Sequence, residues 1–440
     1  MDASSAFWRA GHPCEVASGM TVWPSGSSST DDCVEEGATM TDGEPPTADH
    51  SATASVLGYL HQTRWGLLEL LRSPATNPDQ RLSLEMHDDV AWQVEGAPAE
   101  LKQLKLHVNS VRNLTNASDD LWRTLRVWMD NGRPGDPYGP ILTLITNSTA
   151  GEGSAASLLR DVGRDAGSAL AILENTATTS TAEATAESRR RFLALSLADR
   201  AAFVDRIRIA DQSPDLDGVE EEVAARLRPG APTEQFDTYM DLVWAWWGRT
   251  SLAMLSGKRP PVSVAEMRTA LEGIRDQFSL DNLPSLVEID DVDVDVETAL
   301  LQHDNRTFVQ QLRLLEVKPR QLQKAILDYQ RAYLQETRWL DVYLVDYDEL
   351  DRFAATLVDE WEREFDHMCT RLAAEATDED KRAAGRELLH VLGNSTLSIR
   401  RRFQDPSHAR GRRHALADIP TIGWHPEFED HLAQMLLKEA

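Results

Sequence analysis

The sequence predicts a mixed α/β core followed by a mainly α-helical C-terminal domain. Residues 82–105 alternate apolar and polar side chains on both sides of a Gly-Ala-Pro break, the period of strands joined by turns. Runs of helical apolar spacing and one β-rich run surround them, giving the order helix, three strands, helix, strand (αβββαβ). From Val296 onward the apolar spacing is helical almost to the end, which predicts the second part.

The elements follow in chain order. Residues 1–50 are rich in Ser, Gly, Thr, Asp and Pro and predict a disordered segment, within which Met20 and Met40 are alternative starts. Ser55–Leu71 has the apolar spacing of a helix. Arg81–Met86, Asp89–Val94 and Glu100–Leu106 predict three strands. Ser118 is placed to cap a helix through Met129, with Asp119 and Asp120 in its first turn. Pro140–Thr146 is apolar and β-rich, a strand. Residues 154–174 and 189–207 predict helices, followed by a short strand or helix end and a helix over Gly218–Leu227. Gln235–Leu255 predicts an apolar helix whose Trp244, Trp246 and Trp247 are read as core, since aromatics at helical spacing pack. Val264–Phe278 predicts another helix, and residues 284–297 an acidic linker. Asp290, Asp291, Asp293 and Asp295 lack the glycine and terminal glutamate of a calcium loop and read as solvated. Long helices are predicted over Gln323–Leu340, Asp346–Met368 and Asp378–Leu392.

Composition bounds the function. At 440 residues the chain holds two or three domains. No apolar run is long enough for a membrane span. Cys14, Cys33 and Cys369 are too widely spaced for a disulfide framework or a metal site, which predicts a reducing, cytoplasmic setting. The net charge of −27 opposes loose binding to nucleic acid, so any DNA contact requires a local basic face or a partner. Arg189–Arg191, Arg400–Arg402 and Arg410–Arg413 are the local basic runs, read chiefly as solvated surface. No histidine pair of the C-terminal part has zinc-ligand spacing with a third partner, so these read as surface or helix-end residues.

The chemistry-bearing stretch is Leu82–Lys105. Glu85, Asp88 and Asp89 precede a Gln103-x-Lys105 pair, whose members share one face of a strand. An acid from the neighbouring strand reaches the same spot. Carboxylate and amide oxygens suit a hard cation, Mg²⁺ or Mn²⁺, and a neighbouring lysine suits a phosphate. Asp89 is the expected metal ligand, with Asp88 as its alternative, because sequence does not fix which acid faces the site. Gln103 adds a ligand through its amide oxygen, Lys105 stabilises charge or positions water, and Glu85 is a second acid. His107, two residues further along the same face, contacts phosphate or ends the strand. The competing reading is an amphipathic hairpin with a solvated acidic edge.

The order of elements, with the acid and QxK on central strands, resembles the PD-(D/E)xK nuclease core. More narrowly it resembles the endonuclease domain of bacterial CD-NTase-associated effectors. GYLHQ (58–62), LEMHDDV (84–90), ELKQLKLH (100–107) and LTNASDDLWRTLRVW (114–128) carry that resemblance. It implies a restriction-endonuclease-like domain over 51–290 with a helical extension, and a role for Gln62 in completing the site. AYLQETRW, ELDRFAATLVDEWEREF and LADIPTIGWHPEF resemble the C-terminal domain of effectors in ABC-three component systems and imply such a domain over 296–440. Together the resemblances imply a metal-dependent double-stranded DNA endonuclease of an anti-phage system, with an ABC ATPase and a middle component as partners, no membrane, and scope for homo-oligomerisation. The alternative is an inactive nuclease fold that binds nucleic acid or scaffolds the same complex, favoured by the net charge and by the missing carboxylate at Gln103. For Trp424–Pro426 two roles stand: an exposed anchor that docks a partner, or a pin for the chain's end.

Overall fold

The computed structural model describes residues 49–74, 76–86, 88–107, 113–287 and 302–439. The described chain is mixed α/β, with a mostly helical C-terminal region. Two compact units divide between Arg275 and Asp276. Cys14, Cys33 and the four aspartates between 290 and 295 lie outside the described residues.

The first unit opens with α1 (Asp49–Arg72), then β1 (Arg81–Leu84), β2 (Val90–Val94), β3 (Ala97–Lys105), α2 (Asp119–Asn131) and β4 (Ile141–Thr146). β1 ends two residues earlier than the alternation suggested, and Asp89 precedes β2 instead of starting it. Glu85 adopts φ +52°, and its N–H donates to the Asp89 carbonyl, so a tight loop replaces the strand ends. The turn between β2 and β3 falls on Glu95-Gly96, not on Gly-Ala-Pro. Both residues have positive φ, as a type I′ hairpin requires. Pro98 sits where the pairing shifts register, at a place that tolerates its missing N–H.

Among the described residues six strands form one sheet in the order β5-β4-β3-β2-β1-β6, with β5 at Ile207–Ala210 and β6 at Val262–Ser263. β3, β4 and β5 run parallel, and the remaining pairs are antiparallel. β4 lies between two strands and is buried from its second residue onward, which explains its near-continuous apolar run. α2 buries Leu121, Trp122, Leu125, Trp128 and Met129, one stripe at helical spacing. Asp119 and Asp120 favour its N-terminus through the helix dipole, but Ser118 makes no side-chain cap.

Two predicted helices are each broken in two. Ala155–Leu158 (α3) and Ala166–Thr179 (α4) replace 154–174, because Gly163 turns at φ +74° and Asp165 caps a new helix. Ala186–Ala194 (α5) and Leu197–Arg206 (α6) replace 189–207, where Ser196 starts a capped helix. α7 (Leu216–Leu227) and α8 (Phe236–Leu255) follow, then α9 (Val264–Asp276). Of the three tryptophans on α8 only Trp247 is buried; Trp244 and Trp246 are half-exposed.

The C-terminal unit packs α10 (Thr307–Leu314), α11 (Pro319–Asp341), α12 (Tyr347–Arg371), α13 (Asp378–Gly393), α14 (Pro406–Asp418) and α15 (Phe428–Glu439). Leu312, Ile326, Leu357, Leu392, Ala417 and Ile422 belong to its core. Gly411 lets α14 touch α11, since a Cβ there would strike the backbone oxygen of Asp328. α14 is the basic run read from sequence as surface, and the structure corrects this. Arg412 and Arg413 are buried, paired with Glu336 and Glu360. Arg400 pairs with Glu349 at 2.8 Å, and Arg189 donates to three carbonyls of its own neighbourhood. Only amphipathic charge was visible in the sequence; the acids that neutralise it come from other helices.

Histidines are corrected likewise: His408, His414 and His425 are buried. His425, Glu427 and His431 bring one donor atom each within 4.8 Å of one another, a third partner that spacing did not reveal. Trp424 is 1 % exposed, which rules out an exposed anchor and leaves it holding the chain within its own bundle.

Glu336 is 1 % exposed, with His408 at 3.0 Å and Arg412 at 3.0 Å. Burial pushes its carboxyl up, but Arg412 and His408 outweigh this and hold it below its usual range. Glu336→Ala strands a buried guanidinium and is expected to cost about 3–5 kcal/mol, read as a lower denaturant midpoint. An unchanged midpoint would show that the pair does not hold the bundle.

Candidate functional site

The antiparallel register places the site. Val90 pairs with Lys102, which sets Asp89, one residue earlier, opposite Gln103. The Gln103 Nε2 donates to Asp89 Oδ2 at 2.5 Å, and the backbone N–H of Leu104 donates to the same oxygen at 2.7 Å. Gln62, from α1, hydrogen-bonds Asp89 as well. Asp89 is 8 % exposed and Gln103 6 %. Asp88 turns the other way: its Oδ2 accepts from Trp128 Nε1 at 2.7 Å and its Oδ1 from the Asp89 N–H at 3.1 Å. Glu85 is exposed at the rim.

The charges converge. Lys105 exerts an attraction on Glu85, Asp88 and Asp89 alike. Burial raises Asp88 to about 6, with Asp89's charge adding to the effect and Trp128 opposing it. Burial also raises Asp89, against the hydrogen bonds from Leu104, Gln103 and Gln62 and the positive charge of Lys105. Glu85 is raised by burial and by Asp89 and Asp88. Among the described residues Lys105 makes no ion pair, so its ammonium remains available to an anion.

The donor set fits a hard cation in part. Three carboxylates crowd one place, and each resists ionising there. The Gln62 Oε1 is buried with no hydrogen-bond partner among the described residues. Such an oxygen is costly when left alone and suits a cation or a water. Gln103 departs from expectation. Its NH₂, not its oxygen, faces Asp89, so the amide has to turn over before it ligates a cation beside that carboxylate. His107 lies beyond the end of β3, and its Nε2 shares a hydrogen bond with Asp120 Oδ2 at 2.7 Å.

Sequence reasoning missed a second cluster on the opposite face of β3. Glu100 and Lys102 are also two apart, and Lys102 lies 2.8 Å from Glu69 and 3.3 Å from Glu100. Glu69 is 7 % exposed and accepts from Trp65 Nε1 at 2.9 Å and Trp92 Nε1 at 3.2 Å. This lysine is compensated twice over and ties α1 to the sheet. Acid-x-Lys in the sequence was the available signal, but only the fold shows that Glu69 joins it.

Asp88's raised pKa sets a pH dependence. A carboxyl raised in the folded state binds its proton more tightly there than in the unfolded chain. Stability is therefore highest below about 4 for this group and falls as pH rises through about 6. Asp88→Asn keeps an acceptor for Trp128 and removes the charge. Its melting temperature without divalent cations should exceed wild type by more at pH 7.5 than at pH 5. An equal difference at both would remove the assigned repulsion.

No curated protein matches the chain. Residues 308–432, within the helical unit, match the family described as C-terminal domain 7 of the ABC-three component (ABC-3C) systems. The chain therefore carries a C-terminal domain of the ABC-three component systems.

Proposed function

We propose that the chain is a metal-dependent endonuclease effector of a bacterial anti-phage defence system, acting on double-stranded DNA in the cytoplasm. The observation that carries this reading is Asp89 set opposite Gln103, with Lys105 two residues further and two more acids beside them. Asp89, Asp88 or both would hold Mg²⁺ or Mn²⁺, with Gln62 and a turned Gln103 supplying neutral oxygens. The cation, when bound, neutralises phosphate charge and makes water easier to ionise. Lys105 supplies positive charge to the phosphate as negative charge builds on its oxygens. Glu85, at the rim, would accept a proton from an approaching water. Leu104's N–H and Gln62 keep Asp89 oriented, so that the carboxylate does not have to reorganise during reaction.

The C-terminal domain supports the system-level half of the proposal. Membership in an ABC-three component assembly implies an ABC ATPase and a middle component as partners. At −27 the chain meets DNA with net repulsion, so a partner that concentrates or presents it supplies the missing attraction. Among the described residues no helix is long and apolar enough to cross a membrane. A second reading, an inactive nuclease fold that scaffolds the complex, is favoured by one observation: Asp89 Oδ2 is already satisfied by protein donors.

Plasmid nicking separates the two. Lys105→Ala should lower cutting about 10²–10³-fold, with little change in melting temperature. EDTA should stop the wild-type reaction and Mg²⁺ or Mn²⁺ restore it; cutting that survives chelation would end the metal mechanism. Docking is tested by co-purification with the ABC ATPase and middle component. The full chain should bind them and a chain ending near residue 295 should not. Equal capture by both would place docking elsewhere.

A further inference from the structure

The C-terminal unit holds a cavity of about 600 Å³, the size of a small-molecule site. α10, α11, α13 and α14 and the segment at Trp424 line it. Its polar lining is unlike the chain as a whole. Lys324, Arg331, Arg386, Arg410 and Arg413 face a single lining carboxylate, Asp328. In a chain with a net charge of −27, five cations around one hollow run against the overall composition.

The cations are held in place. Arg410 bonds Asp328 at 2.6 Å, Arg386 bonds Glu379 at 2.5 Å and the Leu315 carbonyl at 2.8 Å, and Arg413 pairs with Glu360. Glu360 and Glu379 lie outside the lining. Guanidiniums fixed by acids behind them present their remaining N–H groups at no further ordering cost. Lys324 is exposed at the rim and forms no ion pair among the described residues.

Among the described residues, Trp424 Nε1 and His414 Nδ1 of the lining make no hydrogen bond, although the residues are 1 % and 6 % exposed. A buried indole N–H without an acceptor is costly, so an acceptor in the cavity would be favoured. His414 stays neutral, because burial and then Arg410 and Arg413 hold it at about 3. One of its ring nitrogens is therefore a donor and the other an acceptor. Leu312, Val317, Leu389 and Leu392 supply an apolar wall.

We propose that this cavity binds a small organic phosphate of mononucleotide size, its phosphate against the arginines and Lys324 and its organic part against the leucines and Trp424. Arginine forks suit phosphate oxygens, and low-dielectric walls strengthen the attraction. The site lies wholly within the unit that carries the ABC-three component domain and stands apart from the nuclease reading.

Calorimetry on the full chain tests it. Lys105→Ala and EDTA are used throughout, so that phosphate binding at the first-unit site is suppressed. The four ribonucleoside 5′-monophosphates are titrated singly, beside adenosine and inorganic phosphate. At least one monophosphate should bind saturably, about tenfold or more tighter than either fragment. Lys324→Glu, at an exposed position, should weaken it about tenfold without lowering the melting temperature, and Leu389→Trp should block it by filling the wall. No binding by any monophosphate at millimolar concentration would overturn the proposal. So would affinity unchanged by Lys324→Glu, or inorganic phosphate binding as tightly as the nucleotide.

Discussion

The hydrogen bonds into Asp89 Oδ2 are the constraint on which the first unit's site depends. A carboxylate 8 % exposed is stable only with donors directed at it, and β3 supplies two from consecutive residues, the Gln103 side chain and the Leu104 backbone. Those bonds fix the register of β2 against β3. The register in turn brings Gln103 against Asp89, with Lys105 two residues further along the same strand. The loop that carries Glu85 closes on the Asp89 carbonyl and takes a left-handed conformation to do so. Strain of that kind persists where the surroundings over-determine it, and here the surroundings are the acidic cluster itself.

β3 carries charge on both faces, with opposite consequences. On one face Lys102 is enclosed by Glu69 and Glu100 and serves to bind helix to sheet. On the other, Lys105 feels three acids at longer range, without an ion pair among the described residues. The same residue type in one strand is structural in one setting and available for chemistry in the other. The difference lies in how close the counter-charges are, since Coulomb attraction in a half-buried setting falls off steeply with distance and solvent.

The C-terminal unit is organised by buried charge in a different manner. α14 is a basic helix placed at the centre of a helical bundle, and α11 and α12 meet it with Asp328, Glu336 and Glu360. Gly411 allows α14 to approach the α11 backbone closely enough for these pairs to form. Such pairs add little net stability over an apolar core, but they penalise any other docking of the helices.

The sequence alone determined the mixed α/β character of the first unit, the acidic-then-QxK stretch and the mostly helical character of the C-terminal region, because these rest on periodicity along the chain. It also carried enough motif to mark the C-terminal domain, whose match spans 308–432. The loop at Glu85 and the breaks at Gly163 and Ser196 were not legible, since each depends on local φ and capping more than on apolar period. Only the tertiary structure decided the side on which Asp88 and Asp89 point: adjacent residues at a strand's edge diverge, one toward Trp128 and the other toward Gln103. Only it showed that the Arg410–Arg413 run is interior, because a cation's partners lie 53 to 82 residues away. Charge pairing between distant helices leaves no period in a sequence, and burial is a property of the whole packed unit.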